Sequence, residues 1–184
     1  GYLPNYGNLK TSNIIAWQLG HEYLDEQGAI NLSSKEMKDS FLWIKSFIHE
    51  IGLNKVVELM GTFGTGLQHG FISGKVSMMI LDSSYPEIIE KYKPDFQYGV
   101  IPIPSYGDSK PISSAGIWWL GIPRGVKDPK KSWDFISFLA GEKNQIDYQK
   151  RTEESLFSAN KYVAYQENSV SIPYYDVFLY MLEN

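Results

Sequence analysis

The chain has 184 residues, a formal net charge of -4 and no cysteine. This length fits one domain or one lobe of a larger protein. The slight acidic excess argues against a nucleic-acid partner, which requires a basic surface. The absence of cysteine excludes disulfides, thiolate metal sites and cysteine nucleophiles. No stretch of the sequence approaches the ~20 apolar residues that span a bilayer.

Aromatic residues make up 15% of the chain, with 13 Tyr, 9 Phe and 5 Trp. Tyr and Trp combine a flat apolar face with a polar group, and such side chains line many ligand clefts and interfaces. An aromatic-rich core would explain the same composition. Both interpretations stay open from composition alone.

Two helices are predicted in the first third of the chain. Apolar residues at helical spacing predict a helix over residues 11–26, with Gly28 closing the segment. A second apolar stripe predicts a helix over residues 35–50, preceded by Ser34 as a capping residue and ended by Gly52.

The rest of the chain alternates predicted strands with predicted helices. Five glycines in residues 61–74 predict a loop and then a short helix that ends at Gly74. Short apolar runs predict strands over residues 76–81, 98–103 and 117–122. Helices are predicted after residues 82–84, over 129–139, over 142–151 and over 173–182, with a polar loop between the last two. This order favours an α/β layer with few strands and much helix.

Phosphate and metal sites lack support in the sequence. The glycines of residues 61–74 match neither a Walker loop nor a dinucleotide fingerprint, since the third glycine and the Ser or Thr after Lys75 are missing. The three histidines, His21, His49 and His69, lie far apart without a second ligand at metal-binding spacing. We expect His21 and His49 on exposed helix faces.

Catalytic residues are not indicated either. Asp82 and Glu87 could form a carboxylate pair of the kind that glycoside hydrolases use. A carboxylate at a strand end is more often a helix cap, and Glu87 in a first helical turn complements the helix dipole. No serine nucleophile motif is present.

Four sequence blocks occur in the order typical of one known family. The segment 71–80, with its Gly-Lys pair and two methionines, resembles the start of a buried strand in the extracellular solute-binding proteins of ABC sugar importers, the family of maltose-binding protein. The other three blocks are residues 98–104, 115–123 and 127–139. The resemblance covers about residues 32–161.

The resemblance implies a fold and a role. Family members have two α/β lobes that hold a solute in the cleft between them. We therefore expect residues 1–184 to form a single helix-rich α/β lobe of the type II periplasmic-binding-protein fold, with a small sheet. It would be the C-terminal lobe of a longer protein whose N-terminal lobe precedes it.

The implied function is the capture of a mono- or oligosaccharide and its delivery to the permease subunits of an ABC transporter. Such a protein is not an enzyme, takes no cofactor or nucleic acid, and acts outside the cytoplasm. It would be either periplasmic or held at the membrane by a lipid anchor. Two alternatives stay open: a carbohydrate-active enzyme module, and an interaction domain whose aromatic side chains are all core.

Candidate ligand contacts are aromatic residues at strand ends and in loops, since sugar C–H faces stack on such rings. Trp118 and Tyr85 rank first, and Trp17 follows. Hydroxyls and backbone amides that could pair with sugar hydroxyls are expected from Ser83, Ser84, Ser114 and Gly116.

The other tryptophans favour a core position. Trp43 and Trp133 lie on helical stripes. Trp118 and Trp119 would point to opposite faces of one strand, so at least one of the two should be buried.

Overall fold

The computed structural model describes residues 1–7, 9–152, 157–166 and 173–183, and within them the regular structure is helical. In chain order the α-helices are α1 (Thr11–Gln18), α2 (Lys35–Ile51), α3 (Leu53–Gly61), α4 (Tyr85–Tyr92), α5 (Pro129–Ala140), α6 (Glu142–Thr152), α7 (Lys161–Ala164) and α8 (Tyr175–Glu183). A short 3₁₀-helix spans Gly66–Gln68. None of the described helices is long and apolar enough to cross a membrane.

The chain divides into two compact units. The first comprises Gly1–Ser114 and Asp176–Asn184, and the second comprises Ala115–Tyr175. The first unit therefore contains α1 to α4 and most of α8, and the second contains α5 to α7.

Helix α2 confirms the most regular prediction. Its N-cap Ser34 accepts a hydrogen bond from the Met37 N–H at 3.1 Å, and Gly52 ends the helix with a φ of 94°. Met37, Ser40 and Ile44 are buried at the spacing of one helix face, and this helix contacts α1. The outer part of the predicted apolar stripe, including Phe41, is exposed.

Helix α1 is shorter than predicted. It ends at Gln18, and Gly20 follows with a φ of 96°, a conformation that glycine adopts without strain. Beyond this glycine, residues 25–28 form a turn in which the Asp25 carboxylate accepts hydrogen bonds from the N–H groups of Gln27 and Ala29. An isolated antiparallel bridge between Leu24 and Ile30 closes this turn.

Helix α3 is not predicted from the sequence. Gly52, which marks the end of α2, is also the residue that precedes α3, and the Val56 N–H donates to its carbonyl at 3.1 Å. Because Gly52 is interpreted only as the end of α2, the helix that begins directly after it is not predicted. The short helix predicted to end at Gly74 is a turn, preceded by the 3₁₀-helix.

The predicted strands do not form a sheet within the described ranges, where the two isolated bridges are Leu24 with Ile30 and Tyr2 with Met78. A strand requires a continuous ladder of hydrogen bonds to a neighbour, whereas the Val76 N–H donates to the Gly70 carbonyl and the Ser77 N–H to the Gly1 carbonyl, beside a single bridge of Met78 with Tyr2. Val76 is buried, but Met78 on the same strand face is 59% exposed and Ser77 on the opposite face is exposed too, so this segment is not covered on both faces. Residues 117–120 are exposed throughout.

The core of the first unit contains Ile72, Tyr85 and Ile89, packed against partly buried apolar side chains. Those neighbours are Phe71, Leu81, Ile88, Phe96 and Tyr98. Helix α4 thus follows residues 82–84 as predicted, with Pro86 in its first turn. It supplies Tyr85 and Ile89 to this core.

The second unit confirms two predicted helices. Asp128 caps α5 by accepting from the Lys131 N–H at 3.1 Å, and α6 follows after Gly141. Helix α7 lies within the predicted polar loop, and it buries Val163 and Ala164. Residues 153–156 and 167–172 of that loop lie outside the described residues.

Replacing Ser34 tests the cap of α2. The Ser34 Oγ accepts a hydrogen bond from the Met37 N–H and is hydrogen-bonded to the His21 Nδ1. Because both hydrogen bonds are lost, Ser34→Ala should lower the free energy of unfolding by about 1 to 2 kcal/mol. Urea denaturation measures this loss. Ser33→Ala, at an exposed neighbouring position, should change it by less than about 0.5 kcal/mol. Equal effects of the two substitutions would contradict the assigned cap.

Candidate functional site

The seven predicted contact residues fall into both compact units. Trp17, Ser83, Ser84, Tyr85 and Ser114 belong to the first unit, whereas Gly116 and Trp118 belong to the second. Within the first unit, the chain brings Ser83, Ser84 and Tyr85 together at the start of α4. Trp17 lies in α1.

Trp118 is the most exposed of the predicted contacts. Its side chain is 93% exposed and that of Trp119 is 83% exposed, so the expectation that one of them is buried is wrong. Side chains alternate between the two faces of a strand, but a face is buried only where a neighbouring layer packs on it. No such layer covers either ring here. Trp133, expected in the core of α5, is also exposed, at 61%.

Ser83, Ser84 and Tyr85 form the turn that begins α4. The Asp82 carboxylate accepts hydrogen bonds from the Ser84 N–H at 3.0 Å and from the Ser84 hydroxyl at 2.6 Å. Asp82 thus stabilises the turn before α4. It does not cap the helix as the sequence suggests, because the N-cap residue is Ser84 and it makes no side-chain cap hydrogen bond. The Tyr85 ring is buried in the core, and this burial raises the pKa of its hydroxyl.

An aromatic cluster beside this turn is not predicted from the sequence. The His69 ring lies 4.9 Å from the Tyr85 ring and stacks on Tyr6 at 5.4 Å, and Tyr6 contacts Phe63 at 4.6 Å. The Tyr6 hydroxyl also accepts a hydrogen bond from the Gly70 N–H at 2.9 Å. A side chain at Gly70 would meet both Phe63 and Tyr6 at 3.0 Å. The glycine in this aromatic-containing loop is the sequence feature that marks the cluster.

Trp17 is half-buried and packs against a neighbouring aromatic side chain. Its ring meets Tyr23 edge to face at 5.8 Å, and Tyr23 in turn meets His21 at 5.1 Å. His21 lies beyond the end of α1 and is only 5% exposed, with its Nδ1 2.9 Å from the Ser34 Oγ. The expectation that His21 occupies an exposed helix face is therefore wrong, because α1 ends before it. His49 is exposed, as expected.

Across the described ranges, no three His, Asp or Glu side chains are grouped so that they could hold a metal ion. The polar groups near the aromatic residues are hydroxyls, backbone amides and single carboxylates. Such groups suit the hydrogen-bonding of a small ligand.

A protein-family model described as bacterial extracellular solute-binding protein matches residues 7–146. The match includes α1 to α5 and all seven predicted contact residues. Comparison with curated proteins gave no match, and comparison with solved structures gave none.

The aromatic cluster predicts a pH dependence of stability. Burial lowers the pKa of His69 below its ordinary value of 6.5, and the neutral ring accepts a hydrogen bond from the Phe71 N–H at Nδ1. The unfolded chain therefore takes up this proton at a higher pH than the folded chain does. The stability due to neutral His69 is complete above pH 6.5 and is lost as the pH falls.

We expect the free energy of unfolding of the wild type to fall more steeply than that of His69→Gln between about pH 7 and about pH 5. Urea denaturation at a series of pH values measures both slopes. His49→Gln controls for the removal of a surface histidine. If the slope of His69→Gln equals that of the wild type, the lowered pKa of the partly buried His69 is refuted.

Proposed function

Because the chain belongs to the bacterial extracellular solute-binding protein family, we propose that it is the substrate-binding component of an ABC importer and that its solute is a carbohydrate. Membership of this family places the protein outside the cytoplasm and makes a small molecule its ligand. Family membership does not specify a carbohydrate as the solute or an ABC importer as the partner, and these two assignments are the proposal.

The exposure of Trp118 is the observation that carries the carbohydrate proposal. An indole that is 93% exposed offers a flat apolar face on which the C–H face of a sugar ring can stack. Gly116, two residues earlier, is also exposed and leaves the backbone amides accessible. Sugar hydroxyls require such donors and acceptors in addition to the stacking face.

The proposed mechanism is binding followed by closure, without chemical conversion of the solute. In this scheme the chain contributes to the C-terminal lobe, and the saccharide is held between it and a second lobe. A hinge motion closes the two lobes around the ligand, and the permease subunits recognise the closed form. The protein would work in the periplasm or from a lipid anchor at the outer face of the cell membrane.

A glycan microarray of mono- and oligosaccharides tests the proposal, and titration with the best-bound glycan gives an affinity. Trp118→Ala should weaken this affinity by about tenfold, because the stacking face is lost. The free energy of unfolding should change by less than about 0.5 kcal/mol, since the ring is exposed. Trp133→Ala, which removes another exposed indole of the second unit, should leave the affinity unchanged.

Two results would refute this assignment. Absence of binding to every glycan on the array would exclude the carbohydrate. A loss of about 3 to 5 kcal/mol in Trp118→Ala is the cost of deleting a buried aromatic ring, and it would exclude Trp118 as an exposed contact.

A further inference from the structure

A surface depression of about 370 Å³ lies between α2 and two loops of the first unit. Its lining residues are Leu19, Asp39, Leu42, Trp43, Ser46 and Tyr106. Four of these six residues lie at positions 39, 42, 43 and 46 of α2, which is the spacing of one helix face. The helical stripe predicts a core position for Trp43, but its half-buried ring lines this depression instead.

The two aromatic rings of the depression form a corner. The Trp43 and Tyr106 rings are perpendicular, with an interplanar angle of 90° and centroids 6.4 Å apart. Phe47 packs against Trp43 at 5.5 Å. The Gln18 side chain is buried and accepts a hydrogen bond from the Tyr106 N–H at 2.7 Å. The Trp43 ring and the backbone of Tyr106 are therefore held in place before a ligand binds.

The polar groups that line the depression favour a positive ligand. Asp39 is the charged lining residue, and the faces of both aromatic rings carry the negative end of the ring quadrupole. The Ser46 hydroxyl donates its proton to the Trp43 carbonyl at 2.8 Å, so its oxygen faces a ligand as an acceptor. A neutral sugar would need paired donors here, whereas a cation needs acceptors and ring faces.

The structure also shows that Asp39 accepts an ammonium group. Its carboxylate forms a hydrogen-bonded ion pair with the Lys35 Nζ at 2.5 Å, and the Lys35 side chain is largely exposed. The contact with Asp39 raises the pKa of Lys35. Exposed ion pairs of this kind contribute little to stability, so another cation can displace Lys35 at small cost.

We propose that this depression binds a small organic cation with an alkylammonium head, held by the Asp39 carboxylate and the corner of Trp43 and Tyr106. This site is additional to the proposed carbohydrate function and does not depend on it. An open depression makes few contacts, so we expect a dissociation constant of about 1 mM or weaker.

The test is an NMR titration of the whole chain with choline chloride, with sodium chloride used to keep the ionic strength constant. The Trp43 indole N–H resonance is assigned by its absence in Trp43→Phe. Choline should shift this resonance in a saturable manner. 3,3-Dimethylbutan-1-ol is the uncharged analogue of choline, and it should bind about tenfold more weakly or not at all.

Three variants separate the roles of the lining groups. Asp39→Asn should weaken choline binding about tenfold. Trp43→Phe lacks the indole resonance and is followed at the backbone amide of Tyr106, another lining residue; it should bind choline less weakly than Asp39→Asn because an aromatic face remains. Lys35→Met should tighten binding by about two- to fivefold, because it removes the competing ammonium group. Asp134→Asn, which removes an exposed carboxylate of α5, should leave the affinity unchanged.

The proposal is overturned if the neutral analogue binds as well as choline, if Asp39→Asn binds choline as tightly as the wild type, or if choline shifts no resonance of the depression. A saturable response to maltose in place of choline would assign the depression to a saccharide and also overturn it. Because Asp39 and Lys35 are at the surface, their variants decide the question even if Trp43→Phe is unstable.

Discussion

The buried side-chain amide of Gln18 joins two parts of the first unit that are 86 residues apart in sequence. Its Nε2 donates to the Pro104 carbonyl at 3.1 Å, and its Oε1 accepts from the Tyr106 N–H at 2.7 Å. These two hydrogen bonds fix the backbone of the 104–106 loop against the end of α1. The Tyr106 N–H also donates to the Ser109 Oγ at 3.1 Å, so the same loop is held from both sides of the chain.

Side chains hold other loops of the first unit in the same manner. The Tyr6 hydroxyl accepts from the Gly70 N–H, and the Lys93 ammonium group donates to the Ile72 carbonyl at 3.1 Å. In a sheet these backbone groups would pair with a neighbouring strand. The described part of the chain has isolated bridges in place of a sheet, so particular side chains provide the pairing. The loops of the first unit are therefore held by hydrogen bonds from particular side chains.

Helices with a local cap and a regular apolar period are predictable from the sequence, as α2 and α5 illustrate. Strands are not predictable in this way. A strand forms only when it pairs with a distant partner, and an apolar run such as residues 76–81 does not specify that partner. The candidate site follows the same division. The sequence indicates that Trp118 is available for a ligand, but the exposure of Trp133 depends on which surface covers α5. The corner of Trp43 and Tyr106 requires two segments that only the folded structure brings together.

The two exposed aromatic surfaces differ in what surrounds them. Trp118 follows a segment of small residues with accessible backbone, which offers both donors and acceptors to a neutral hydroxylated ring. Trp43 lies four residues after the Asp39 carboxylate on the same face of α2, so its surroundings offer acceptors and negative charge. An aromatic ring supplies contact area to either ligand class, and the neighbouring polar groups determine which class can pair with the surface. We therefore expect Trp118 to contact a neutral saccharide and Trp43 to contact a cation, although both present the same indole ring.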